Sequence, residues 1–334
     1  LENKTSTTLE NHQLTFEYTS NPSWYAIKSL PYLMEYEHNC AEQVFSRYYA
    51  NAVAAHILNS SPEVKEVFDS WAANGTNKSK LEQNEELKSI ILAHTPWLRD
   101  AQTEAQKQQR LATLFDLEKT AREKKKTLAK LEEKQKASGG FPWFSGGRMN
   151  EYITRHIAAG IGHLNKLGVN DKDRPQTDRI YTKAIAAVDR AWAKRFNDCL
   201  KNQKSLKKFN FGASYWHYQY ARSFEKSVVD QKMQKVLENG RKVAFAKAEK
   251  EFASQPLYTQ LLMALSLHRN GESKSASNIL EGLRQIAVRN KENGMYWKEN
   301  NNSWYWYSSD IETQALAIEV FSEIEKDAKT VEEL

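Results

Sequence analysis

Residues 257–287 read LYTQLLMALSLHRNGESKSASNILEGLRQIA. Leu257, Leu261 and Leu265 recur every fourth position, Gly271 interrupts, and Ala276, Leu280, Leu283 and Ala287 resume the same rule. Apolar residues at i, i+3 and i+4 share one face of an α-helix, so the stretch is two helices joined by a short Gly-containing turn. Working outward, Ile180, Ala184, Val188, Trp192 and Phe196 mark a further helix, and Cys40 to Leu58 carries Val44, Tyr48, Ala52 and Ala55 near one face. Pro22 and Pro31 punctuate an early turn region, and before it His12 to Tyr18 alternates, with Leu14, Phe16 and Tyr18 on one side, as a half-buried strand does. Paired helices with short turns predict an all-α architecture with a short N-terminal strand.

Composition narrows the functional classes. A chain of 334 residues with 40% hydrophobic content can bury a sizeable core. Its net charge of +6 and sequence pI of about 9.0 come from 48 basic residues interleaved with 42 acidic ones, which describes a mixed, solvated surface and predicts no nucleic-acid partner. Cys40 and Cys199 are too few for a disulfide framework. No apolar run approaches the roughly 18 residues that span a bilayer, so no membrane insertion by this segment is expected. Leu1 is followed by polar residues, without the pattern of an export signal, and the chain reads as a piece of something longer. Arg99 to Lys136 is highly charged, with a sparse apolar series at Leu111, Leu114, Phe115, Leu128 and Leu131. It reads as a projecting helical hairpin with one thin buried stripe.

A weak internal repeat is also present. Gly139-Gly140-Phe141-Pro142-Trp143-Phe144 precedes Tyr152, Ile153 and Thr154, and Gly294-Met295-Tyr296-Trp297 precedes Ile311, Glu312 and Thr313. Helical hairpins closed by aromatic turns suggest stacked pairs that can curl into a ring.

The chemistry concentrates in Tyr36-Glu37-His38-Asn39-Cys40-Ala41-Glu42-Gln43, at the expected start of a helix. A thiol and a carboxamide three residues apart there can approach each other and condense, with loss of ammonia, to an internal thioester. Thiolate, with a parent pKa of about 8.5, is a good leaving group, and the positive end of a helix favours its departure. Taken alone, Cys40 reads more readily as an ordinary buried cysteine.

The stretch resembles the Cys-x-Glu-Gln element of the alpha-2-macroglobulin and complement thioester family. The resemblance to bacterial members extends over Asn21-Pro22-Ser23-Trp24-Tyr25-Ala26, Leu30-Pro31-Tyr32-Leu33 and Tyr48-Tyr49-Ala50-Asn51. It resumes at Thr95-Pro96-Trp97, Phe141-Pro142-Trp143-Phe144, Gly146-Gly147 and Asp310-Ile311-Glu312-Thr313-Gln314-Ala315, covering nearly the whole chain. It implies an α/α toroid, the ring of helical hairpins shared with terpenoid cyclases and prenyltransferases. It also implies a single-use trap in which Cys40 and Gln43 form the thioester that acylates a lysine of an attacking protease, Glu42 being the motif's acidic member.

Its implied partners are proteases and other domains of the same large polypeptide, its setting the periplasm or cell envelope, and no cofactor or metal is expected. The toroid would occupy residues 21–334, with a charged insertion at about 99–138, after an extension at 1–20. The family domain would continue for further helices beyond Leu334. Animal members flank the Cys with Gly; here Asn39, which tolerates positive φ, and small Ala41 stand instead.

Other residues have competing readings. Cys199 follows Trp192 and Phe196 and is expected in the core. His156 and His163 share a helix without the further ligands a metal wants. His217, within Tyr215-Trp216-His217-Tyr218-Gln219-Tyr220, is a packed aromatic-helix residue or a base that reaches the thioester, and Tyr36 is a candidate shield for it. Trp143, Trp297, Trp304 and Trp306 read as aromatic plugs in turns, or as the lining of a cleft. The alternatives are thus a scaffold on the same ring whose thioester never forms, and a toroid enzyme acting on polysaccharide or lipid, which a deep acidic cleft would favour.

Overall fold

The computed structural model describes residues 38–60, 117–202, 205–225, 231–300 and 309–334, together with residues 30, 33, 34 and 66. The expected strand at 12–18, Tyr36, Trp304, Trp306 and the first part of the charged arm lie outside the described residues.

About three quarters of the described residues are helical, so the architecture is all-α. The helices are α1 (Ala41–Ser60), α2 (Leu117–Lys134), α3 (Glu151–Lys166), α4 (Arg174–Lys201), α5 (Ala213–Arg222), α6 (Gln231–Glu251), α7 (Leu257–Arg269), α8 (Ser273–Ile286), α9 (Asp310–Ile324) and α10 (Ala328–Glu333). Local chemistry sets several starts. Asn150 accepts a hydrogen bond from the Ile153 N–H ahead of α3, and Ser309 accepts one from the Glu312 N–H ahead of α9, whose first turn carries Asp310 and Glu312. Gly271 takes φ +90° between α7 and α8, as the sequence predicts for that turn.

The packing order is simple. α1 packs on α3, α3 on α5, α5 on α7 and α7 on α9, forming one continuous layer. Behind it, α2 backs α1, α4 backs α3 and α8 backs α7, with α6 lying against α4 and α8. The periodic faces drive this: Ile180, Ala184, Val188, Trp192 and Phe196 of α4 are all buried, as are Leu261, Leu265, Ala276, Leu280 and Leu283 of α7 and α8. Each large apolar side chain taken out of water contributes about 1.5–3 kcal/mol.

Three expectations change. α2 buries Leu128 and Leu131 as the thin stripe predicts, but it lies along α1, so the described half of the charged arm does not project. Cys199 is half-buried rather than core, because the buried stripe of α4 ends at Phe196 and the last turn overhangs the packed layer, leaving Leu200 43% exposed. A small antiparallel hairpin, β1 (Val288–Asn290) with β2 (Gly294–Tyr296), occupies the second aromatic turn, where Asn290 Oδ1 accepts from the Glu292 and Asn293 N–H groups.

The internal repeat has a structural counterpart. Gly139 (φ +87°) and Gly294 (φ +67°) both need left-handed backbone, and a Cβ would fall 2.2 Å from the Lys183 carbonyl oxygen at the first and 2.1 Å from that of Glu333 at the second. Phe141 and Trp297 follow them into the core, and Thr154 and Thr313 are buried at the heads of the next helices.

Candidate functional site

Cys40 immediately precedes α1, and its carbonyl accepts the first helical hydrogen bond, from Val44 N–H at 3.0 Å. The Gln43 N–H points at Cys40 Sγ at 3.5 Å. The sulfur therefore stands where a serine or threonine oxygen stands in a capping box, and Gln43 holds the position whose side chain in such a box reaches back to the cap residue. Cys40 and Gln43 are thus placed by ordinary helix-start geometry.

Two contacts hold this turn. Ala41 N–H donates to the Trp143 carbonyl at 3.0 Å, docking the Cys40 turn on the Phe141–Gly147 aromatic turn. Arg47 donates to the His38 carbonyl at 3.2 Å and to Asn39 Oδ1 at 3.1 Å. Asn39 does not adopt positive φ; its side chain serves as an acceptor instead. Cys40 is buried at 6% exposure. Its thiol lies 3.8 Å from Glu42 Oε2, and Ser46 Oγ donates to Glu42 Oε1 at 3.0 Å. Burial, against the Gln43 N–H and with the Glu42 charge, raises the Cys40 pKa, so the resting group is a thiol.

Further along α1 opens a cavity of about 360 Å³ that every helix of the front layer lines, including Phe45, Ser46 and Tyr49 of α1 and Glu312 and Glu319 of α9. Trp143, whose carbonyl holds Ala41, stacks on Tyr152 at 6.4 Å, and Tyr152 stacks in turn on His156 at 5.9 Å. His156 also meets the Phe45 ring edge-on, and burial holds its pKa at about 4. His217 is buried, accepts a hydrogen bond from Arg155 Nε at 3.5 Å, and is held well below the usual histidine pKa by burial and then by the Arg155 charge. The structure places it on the cavity wall, while the thiol's described polar contacts are Glu42 and Gln43.

His163 is not paired with His156 in any site. Its Nε2 lies 2.8 Å from the Tyr220 hydroxyl and 2.8 Å from Glu319, and among the described residues no group of three or more His, Cys, Asp or Glu is disposed to hold a metal. Arg269 completes this network, donating to Glu319 at 2.5 Å and Glu323 at 2.7 Å, with Lys166 also on Glu323. Burial alone would raise both carboxyls. The hydrogen bond from His163 and the charges of His163 and Arg269 instead hold Glu319 below its ordinary value, and Arg269 and Lys166 hold Glu323 at about 2.

Glu312 behaves oppositely. Burial pushes its pKa up to about 7, with only a hydrogen bond from the Tyr258 hydroxyl, 3.2 Å away, opposing. A carboxyl whose folded pKa is raised contributes stability below its unfolded value that is lost as pH rises through about 7. Glu312→Gln is therefore expected to stabilise the protein at pH 8 by about 1–3 kcal/mol and to change little near pH 4. Urea denaturation at the two pH values checks this; equal midpoint shifts at both would contradict it.

No local signal in the sequence picks out the cavity, since its walls come from positions as distant as Phe45 and Glu319. No protein-family profile, curated protein or solved structure matches the chain.

Proposed function

We propose that this chain is the thioester-bearing domain of a protease-trapping protein of the alpha-2-macroglobulin type, built on an α/α toroid. The carrying observation is the capping-box placement of Cys40 and Gln43, with the sulfur buried and the turn docked on another stretch that carries the resemblance, Phe141–Gly147. The ring finds support in the alternation of front and back helices and in the cavity that both α1 and α9 line.

In this reading the Cys40 sulfur attacks the Gln43 carboxamide carbon, ammonia leaves, and a thioester is stored among apolar neighbours. A protease cutting elsewhere in the parent polypeptide uncovers it, and a lysine amine takes the acyl group while Cys40 departs as thiol. Each molecule acts once, so this is a covalent inhibitor and not a turnover enzyme. Its partners are proteases and neighbouring modules of the same polypeptide, in the periplasm or cell envelope.

The cavity also favours a second reading, a toroid enzyme acting on polysaccharide. Glycoside hydrolysis calls for two working carboxyls, whereas here Glu319 is committed to Arg269, His163 and Tyr220, leaving Glu312 alone.

Methylamine separates the readings. Fresh protein should take up one methylamine at Gln43 and release one thiol, Cys40→Ala should take up none, and glycerol should label poorly, because a hydroxyl needs a base where an amine does not. Methylamine uptake by Cys40→Ala equal to that of the parent would refute the assignment.

A further inference from the structure

The cavity has a chemistry that trapping alone does not require. Its walls are aromatic: Phe45 and Tyr49 from α1, Tyr220 from α5 and Tyr258 from α7. Its lining includes Glu312, whose hydrogen bond comes from a neutral hydroxyl, and among the described residues no cationic side chain pairs with it. The other charged and titratable groups around it are already committed. Glu319 is neutralised by Arg269 and bonded to His163, and Arg155 behind His217 faces Glu151 at 3.8 Å. His156 and His217 are neutral at physiological pH and do not compete with a cation.

We propose that the cavity between α1, α3, α5, α7 and α9 binds a primary alkylammonium group, the lysine side chain to be acylated, with Glu312 as its counter-ion and first proton acceptor. Aromatic faces attract cations and bury a methylene stem, and a carboxylate without a partner lacks only the positive charge. About 360 Å³ suits such a chain. Ser46 connects the cavity to the thiol, since it lines the wall and also donates to Glu42, which contacts Cys40 Sγ.

The chemical consequence rests on the thioester reading. Glu312 takes one proton from the ammonium, and the neutral amine attacks the Gln43 acyl carbon. The C–N bond forms as the C–S bond breaks with its electron pair on Cys40 Sγ, and the second amine proton passes to that sulfur, giving an amide and a thiol.

Binding can be measured without the thioester. Titration of full-length Cys40→Ala protein with n-butylammonium, followed by amide and aromatic NMR shifts, should show saturable binding at Tyr258 and Tyr220, with n-butanol and butyrate binding at least about tenfold more weakly. Glu312→Gln in the same background should weaken n-butylammonium by a similar factor, with its helical circular dichroism unchanged. Equal binding of n-butanol, or unchanged n-butylammonium affinity in Glu312→Gln, would overturn the proposal. Fresh parent protein without a thioester would overturn the functional reading instead, and leaves this titration to decide the site by itself.

Discussion

Arg269→Met should destabilise the protein by about 3–5 kcal/mol at neutral pH, the largest effect expected of any single surface-distant charge here. The Arg269 side chain is only 6% exposed and faces two carboxylates that are each 20% exposed. It also lies over the Phe224 ring at 4.3 Å. Methionine can fill the space, but Glu319 and Glu323 would be left largely desolvated, with His163 and the Tyr220 hydroxyl remaining on Glu319 and Lys166 on Glu323. The pH dependence gives the deficit a signature. Glu323 has a depressed folded pKa of about 2, so its pairing contributes stability above its unfolded value and loses it as pH falls through about 2. The variant loses most of that contribution, so its deficit should be largest near pH 7 and should shrink on acidification below about pH 4. A deficit in urea unfolding that is constant with pH would mean that packing, and not charge, is what Arg269 supplies.

Trp192→Ala should be of similar size, about 3–5 kcal/mol, for a different reason. Trp192 is 5% exposed, stacks on Tyr218 at 5.8 Å and meets Tyr215 edge-on at 5.0 Å, within an aromatic cluster that joins α4 to α5. Truncation removes these contacts and leaves a cavity that the surrounding rings cannot collapse to fill. Cys40→Ala, by contrast, deletes one small atom at a helix start and should change stability by about 1 kcal/mol or less. Denaturation of both variants checks the contrast. If Cys40→Ala is as damaging as Trp192→Ala, Cys40 is a packing residue and the functional reading falls.

Helices α1, α4, α7 and α8 were legible because a buried stripe repeats along each of them: five positions from Ile180 to Phe196 all point inward. The placement of Cys40 and Gln43 was legible because its geometry is local, needing only a helix start and a three-residue separation. Other features leave no such trace. β1 and β2 are three residues each, too short for a period-two pattern, and are set by the Asn290 turn and Gly294. Glu312 sits in the first turn of α9, where an acidic residue is favoured by the helix dipole whatever it faces, so its turn toward the cavity depends on how α9 lies against α7. His217 illustrates the same limit, because only the tertiary packing shows Arg155 occupying its Nδ1.

The intact mass of freshly purified full-length protein tests the central claim most directly. Condensation of Cys40 with Gln43 predicts a mass below that of the sequence by one ammonia, with no titratable thiol at Cys40 and with the deficit absent in Cys40→Ala. A mass equal to that of the unmodified sequence, with Cys40 reactive as a thiol and Gln43 intact as an amide, would contradict it.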